Sequence, residues 1–252
     1  MQEIIKQGKL TFICEEESGL CRVSACEKDA TEIEIPFEVN GMNVISICAH
    51  AFEDCTELVS LKLPDLPEEL YFERDGLELI GSYAFSGCSK LKEIEIPDTV
   101  GTIERGAFYG CDELERVTIL RRCYIGDYAF ARCRSLKEIS PLPYVSEGMF
   151  SQCESLSEIA FLPKVKMIEE DAFEHTALEQ VVIPKTIKNI GKLAFRSCYN
   201  LKTVTFEDPE GWWWKCRYND EEYPLDLSSP EKNAKTLSRM DFDDGVSYWY
   251  KK

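Results

Sequence analysis

The chain has 252 residues, 44% of them hydrophobic, and a net charge of −17 from 46 acidic against 29 basic side chains. A field of that sign repels phosphate backbones and anionic membrane surfaces, so nucleic acid is excluded as a partner class. No stretch reaches the roughly eighteen apolar residues of a spanning helix, and no membrane insertion is expected.

Residues 1–30 read as an N-terminal cap. Leu10–Cys14 and Leu20–Val23 are two strand-like runs around Glu-Glu-Glu-Ser-Gly, and Gly19 can adopt a left-handed turn conformation. The predicted β-hairpin would cover the first coil of whatever follows. The opening MQEIIKQGKLTF has no seven-residue apolar run, so the sequence shows no signal peptide. That implies a cytoplasmic protein if the chain is complete, and a surface or secreted one if a leader has been removed.

From residue 31 to residue 206 one phrase recurs: Ala-Phe-x-x-Cys-x-x-Leu-x-x-Ile-x-Ile-Pro. Its anchor pairs are Ala51-Phe52, Ala84-Phe85, Ala107-Phe108, Ala129-Phe130, Met149-Phe150, Ala172-Phe173 and Ala194-Phe195, at spacings of 33, 23, 22, 20, 23 and 22 residues. Such periods mark stacked repeat architectures, and even spacing argues for one elongated domain. Within a unit, Ala84, Cys88 and Leu91 fall at i, i+4 and i+7, one face of a helix, whereas Ile94 and Ile96 alternate as in a strand. Each unit is therefore predicted as a short helix followed by a short strand. Pro97 ends the strand because it lacks an amide donor, and Val100 and Ile103 turn the chain back toward Ala107. The predicted strands centre on Ile33, Leu61, Ile94, Val117, Ile139, Ile159, Val181 and Val204.

The repeat slots absorb most residues that would otherwise suggest chemistry. Cys55, Cys88, Cys111, Cys133, Cys153 and Cys198 share one slot, which Thr176 takes in the remaining unit. They are expected as buried thiols acting as small hydrophobes, rather than as bridges between neighbouring slots. Cys14, Cys21 and Cys26, with Cys48 and His50, raise a zinc site, but the spacing C-x6-C-x4-C departs from the C-x2-C of structural zinc knuckles. No metal and no cofactor is expected. His50 and His175 lie several repeats apart, and the sequence contains no GxSxG, P-loop or HExxH motif, so no catalytic residue is assigned.

The 33-residue spacing exceeds its neighbours because of an insertion near residues 65–79. Its Tyr71 and Phe72 either serve as exposed binding anchors or fold back onto the repeats. Residues 207–252 read as a C-terminal cap with a short helix, in which Ser229 is the N-cap, Pro230 the first helical residue, and Ala234 and Leu237 share a face. Trp212, Trp213 and Trp214 cannot all face inward on one short element, which leaves Trp213 as a candidate contact residue.

The segments AFEDCTELVSLKLP, AFSGCSKLKEIEIPDTVGTI, AFYGCDELERVTI and AFRSCYNLKTVTF resemble the BspA-like class of leucine-rich repeat over about residues 31–206. The resemblance implies an α/β repeat solenoid: a curved right-handed array, parallel strands on the concave face and short helices on the convex face. Members of that family are mainly bacterial or protist repeat proteins linked to surface adhesion and host-protein binding. By that resemblance the chain is a non-enzymatic protein–protein interaction module, adhesion-type and monomeric, with a cytoplasmic scaffold or a glycan binder using the tryptophan cluster as alternatives. Strand alternation points Glu32, Glu34, Lys62, Glu93, Glu95, Arg116, Glu138 and Glu158 outward, and these are the candidate partner-binding residues. Their acidity fits either a solvated face or a docking surface for a basic partner.

Overall fold

The computed structural model describes residues 1–65, 76–120, 123–216, 221–238 and 246–252. They form two compact units, Met1–Ile139 and Ser140–Lys252, each a stack of β-solenoid coils. Tyr71 and Phe72 lie outside the described residues.

The first unit opens on three antiparallel strands: β1 (Gln2–Gln7), β2 (Leu10–Glu15) and β3 (Leu20–Cys26). Leu10, Phe12 and Cys14 alternate inward along β2, and Gly19 makes the turn at φ 68°. The predicted hairpin is β2 and β3. β1 was not legible because nearly every residue of it is exposed, so it carries no alternation of burial. Cys14 and Cys21, considered from sequence as metal ligands, stand directly opposite each other across β2 and β3 and form a disulfide.

Parallel strands then run along two faces of the coils. On one face Glu32–Glu34 pairs with Ser60–Lys62, and Glu93–Ile96, Arg116–Ile119 and Glu138–Ile139 pair in sequence. The register sets Val117 opposite both Ile94 and Ile139, so equivalent residues stack. On the other face one sheet continues from β3 through Met42–Ile47, Leu79–Ile80, Thr102–Ile103 and Tyr124–Ile125. Sequence reading treated Val100 and Ile103 only as a return path, because a two-residue strand leaves no periodic signal, and it missed the six-residue strand Met42–Ile47.

The Ala-Phe segments are turns, which corrects the expected helices. Left-handed residues bracket each pair: His50 and Asp54 (φ 61° and 54°), Tyr83 and Gly87 (55° and 73°), Gly106 and Gly110 (61° and 70°). Three residues between two such points are fewer than one helical turn, so no helix can propagate. Amides of alternate residues instead point to the next coil. His50, Phe52 and Asp54 donate to the carbonyls of Ser82, Ala84 and Ser86 at 3.1, 2.7 and 2.7 Å. Inside, Phe85 and Phe108 stack at 5.2 Å, and Phe108 and Phe130 at 5.5 Å.

The second unit repeats this plan. Gln180–Ile183 pairs with Thr203–Phe206, Met167–Ile168 with Asn189–Ile190, and Phe173 stacks between Phe150 and Phe195. Ile159, predicted as a strand centre, lies outside any strand. Pro141 and Pro143 flank Leu142 and remove ladder amides, leaving a single bridge from Leu142 to Phe161. Val246–Lys251 adds antiparallel to Asn189–Ile190 and to Trp212–Cys216, which in turn pairs with Glu222–Pro224. The predicted cap helix is α1 (Pro230–Ser238), the one α-helix among the described residues, with Ala234 and Leu237 buried. The Ser229 hydroxyl accepts from the Lys232 amide at 3.4 Å, the N-cap bond expected from Ser-Pro-Glu. No described helix is long and apolar enough to cross a membrane.

Candidate protein-binding face

Strand pleating turns Leu61, Ile94 and Val117 inward, and Ser60, Lys62, Glu93, Glu95 and Arg116 outward, on one face of the first unit. Between Val59 and Thr118 this face dishes into a groove of about 740 Å³. Lys62, Glu93, Glu95 and Arg116, four of the sequence candidates, converge in it. Glu34 joins them through Lys62 at 3.1 Å, and Glu138 through Arg116 at 2.8 Å.

Each outward cation sits between carboxylates. Lys62 also approaches Asp65 at 3.8 Å, and Arg116 approaches Glu93 at 3.6 Å. Glu34 first, then Asp65, hold the Lys62 ammonium above its ordinary pKa; Glu138 first, then Glu93, do the same for the Arg116 guanidinium. Exposed pairs of this kind add little stability, but they fix which way long side chains point. Among the described residues Glu32 and Glu95 have no ion pair. The face thus carries paired charges, with Glu32, Glu95 and the ammonium of Lys92 left without an ion pair among the described residues.

Val59, Lys92 and Glu115 also line the groove and were missed from sequence. They occupy the slot just after the leucine of the repeated phrase, before the strand alternation begins. Their signal is a change of charge from coil to coil in that slot: Glu115 pairs with Lys137 at 2.9 Å and, in the second unit, Glu179 pairs with Lys202 at 2.6 Å. Lys137 holds the Glu115 carboxyl below its usual range.

The other candidates stand apart. Glu158 is an exposed residue of the second unit outside any strand. The three tryptophans divide by strand side: Trp212 is buried and its indole donates to the Asp208 carbonyl at 3.0 Å, while Trp214 stacks on Tyr223 at 4.6 Å. Trp213 is half-buried, with the Lys252 ammonium 3.9 Å from its ring centroid. His50 stacks on Tyr83 and His175 meets Tyr199 edge-on, in different units. Among the described residues no group of three or more His, Cys, Asp or Glu side chains is disposed to hold a metal ion.

Six copies of the BspA type leucine rich repeat region match this chain, over residues 25–73, 68–147 and 124–210. The chain belongs to the BspA-type leucine-rich repeat family. Among solved structures, this BspA-type chain is similar to a leucine-rich cell surface protein from Faecalibacterium prausnitzii A2-165, at 25% identity and a TM-score of 0.57. That match covers 88% of this chain but 62% of the other, so the present chain spans less than two thirds of its length. The leucine-rich repeat protein of T. pallidum shares the fold, at 21% identity and a TM-score of 0.52 over 79% of this chain and 91% of that one. No match was found among curated proteins.

Proposed function

We propose that this chain is a non-enzymatic protein-interaction module, an adhesion-type binder that receives a protein ligand on the strand face of its first unit. A repeat fold does not set its ligand, so the reading rests on the groove. There Glu95 lacks an ion pair among the described residues, while Lys62 and Arg116 are held in place by neighbouring carboxylates. A basic side chain of the ligand would meet Glu95 without displacing an existing pair, and the fixed cations would set the ligand's register.

Two observations support a surface location over a cytoplasmic scaffold. The Cys14–Cys21 disulfide suits an oxidising compartment, and the Faecalibacterium relative is described as a cell surface protein. Glycan binding at Trp213 has less support, since Lys252 already covers that ring.

The test is crosslinked capture with the native chain, with Glu93→Lys/Glu95→Lys, and with Glu3→Lys/Glu16→Lys as a charge-matched control. The same captured protein should be lost with the first variant and retained with the control, at unchanged thermal stability. Retention by both variants would remove the strand face from consideration.

A further inference from the structure

The turn side of the first unit carries a second kind of surface. His50, Tyr83 and Tyr128 occupy the position before the Ala-Phe pair in three coils, Tyr109 follows Phe108, and Arg105 and Arg132 lie beside them. Stacking brings these scattered residues into one ridge. The His50 and Tyr83 rings are parallel at 5.6 Å, and Tyr83 meets Tyr109 edge-on at 6.5 Å. Arg132 lies over Tyr109 at 5.5 Å, and Arg105 over Tyr128 at 4.8 Å.

The ridge is set before any partner arrives. A Cβ at Gly106 would lie 2.4 Å from the Tyr83 ring, so the glycine leaves that ring its seat. Arg105 is further held by Asp127 at 3.1 Å. Rings and guanidiniums fixed in this way lose little conformational freedom on binding, and Tyr and Arg are the side chains that most often dominate interfaces.

The charges select the partner. Asp127 occupies Arg105 and Glu53 occupies His50 at 3.1 Å, but exposed Arg132 has no ion pair among the described residues. A guanidinium supported on an aromatic face is weakly hydrated and presents a planar donor fork that fits a carboxylate. We propose that this ridge is a second interaction surface, separate from the strand face, that takes a protein segment carrying a carboxylate next to an apolar residue. Arg132 would pair with the carboxylate, and Tyr83 and Tyr109 would cover the apolar neighbour.

The probe is a fluorescein-labelled octapeptide of alternating Asp and Pro, titrated with the full chain by anisotropy at low salt, where a net charge of −17 makes the demand severe. Saturable binding should weaken at least about fivefold for the Asn-Pro counterpart, and equally for Arg132→Gln and for Tyr109→Ala. Lys6→Gln makes the same change in net charge on β1, in neither surface, and should leave binding within about twofold. Melting curves that match the native chain would certify the variants as folded. No saturable binding of the Asp-Pro peptide, or equal weakening by Lys6→Gln and Arg132→Gln, would overturn the proposal. Neither outcome bears on capture at the strand face, which is read with different variants.

Discussion

The thiol of Cys111 donates to the carbonyl oxygen of Phe85, one coil upstream, at 3.2 Å. The relationship repeats: Cys88 reaches Phe52 at 3.3 Å, Cys133 reaches Phe108 at 3.2 Å, and Cys198 reaches Phe173 at 2.9 Å. The slot is therefore both a small apolar site and a donor between coils. Burial pushes the Cys111 thiol well above its ordinary pKa and that of Cys198 to about 11. Since only the thiolate reacts, iodoacetamide at neutral pH should leave both unmodified in the folded protein and alkylate both in denaturant. Cys111→Ala should lower stability by about 1–2 kcal/mol, read as a shift in urea midpoint.

Gly126 tests how closely coils approach. A Cβ there would lie 2.6 Å from the Arg105 amide nitrogen and 2.8 Å from the Glu104 carbonyl carbon, backbone atoms that cannot step aside. Gly126→Ala should cost about 1–3 kcal/mol through overpacking. At Gly101 the nearest atom to a Cβ is the Glu78 carbonyl oxygen at 3.9 Å, so Gly101→Ala should stay within about 0.5 kcal/mol. Equal midpoints for the two variants would show that coil spacing adjusts.

These two slots also explain what sequence could and could not reveal. The repeat spacing was enough to place Phe85, Phe108 and Phe130 in one stack, and Ser229-Pro230 was enough to start α1. The helix reading failed because Ala84, Cys88 and Leu91 have the same spacing on a helix and on a pair of bracketing left-handed turns. The distinguishing signal was Gly87, Gly106, Gly110 and Gly148, all at positive φ and all beside an anchor pair. Within the binding face, pleating exposed Lys62, Glu93 and Glu95, but which carboxylates are paired depends on side-chain reach between coils. The Tyr83–Tyr109 ridge was hidden for a related reason: Tyr109, Arg105 and Arg132 come from slots other than the one His50, Tyr83 and Tyr128 share, and stacking alone makes them neighbours.

The end of the second unit depends on one buried amide. Asn233 of α1 donates from Nδ2 to the Val204 carbonyl at 3.0 Å and to the Leu227 carbonyl at 3.1 Å. Asn233→Leu keeps the branched shape, adds some bulk and leaves both carbonyls without this donor, and should cost about 2–3 kcal/mol. Ser229→Ala, which removes only an exposed N-cap, should cost about 0.5–1 kcal/mol. If the order of these two urea midpoints is reversed, the amide is not what seals the last strand.

Asp171 gives the second unit a pH dependence of defined sign. Its Oδ1 is buried without a hydrogen-bond partner among the described residues. Desolvation first, then Glu174 and Glu170, push its pKa from 3.8 up to about 6, against the opposing pull of Arg196 and Lys192. A carboxyl that holds its proton more tightly when folded stabilises the protein fully below the unfolded value. That contribution is lost as pH rises from about 4 through about 6, and the level stays flat above. Because the residue is only half-buried, solvent screening reduces the effect to roughly 1 kcal/mol. Asn tolerates the left-handed φ of 53° at this position and cannot ionise. Asp171→Asn should therefore raise the urea midpoint relative to the native chain at pH 8 and match it at pH 4, whereas a gain of the same size at both values would trace to packing instead of charge.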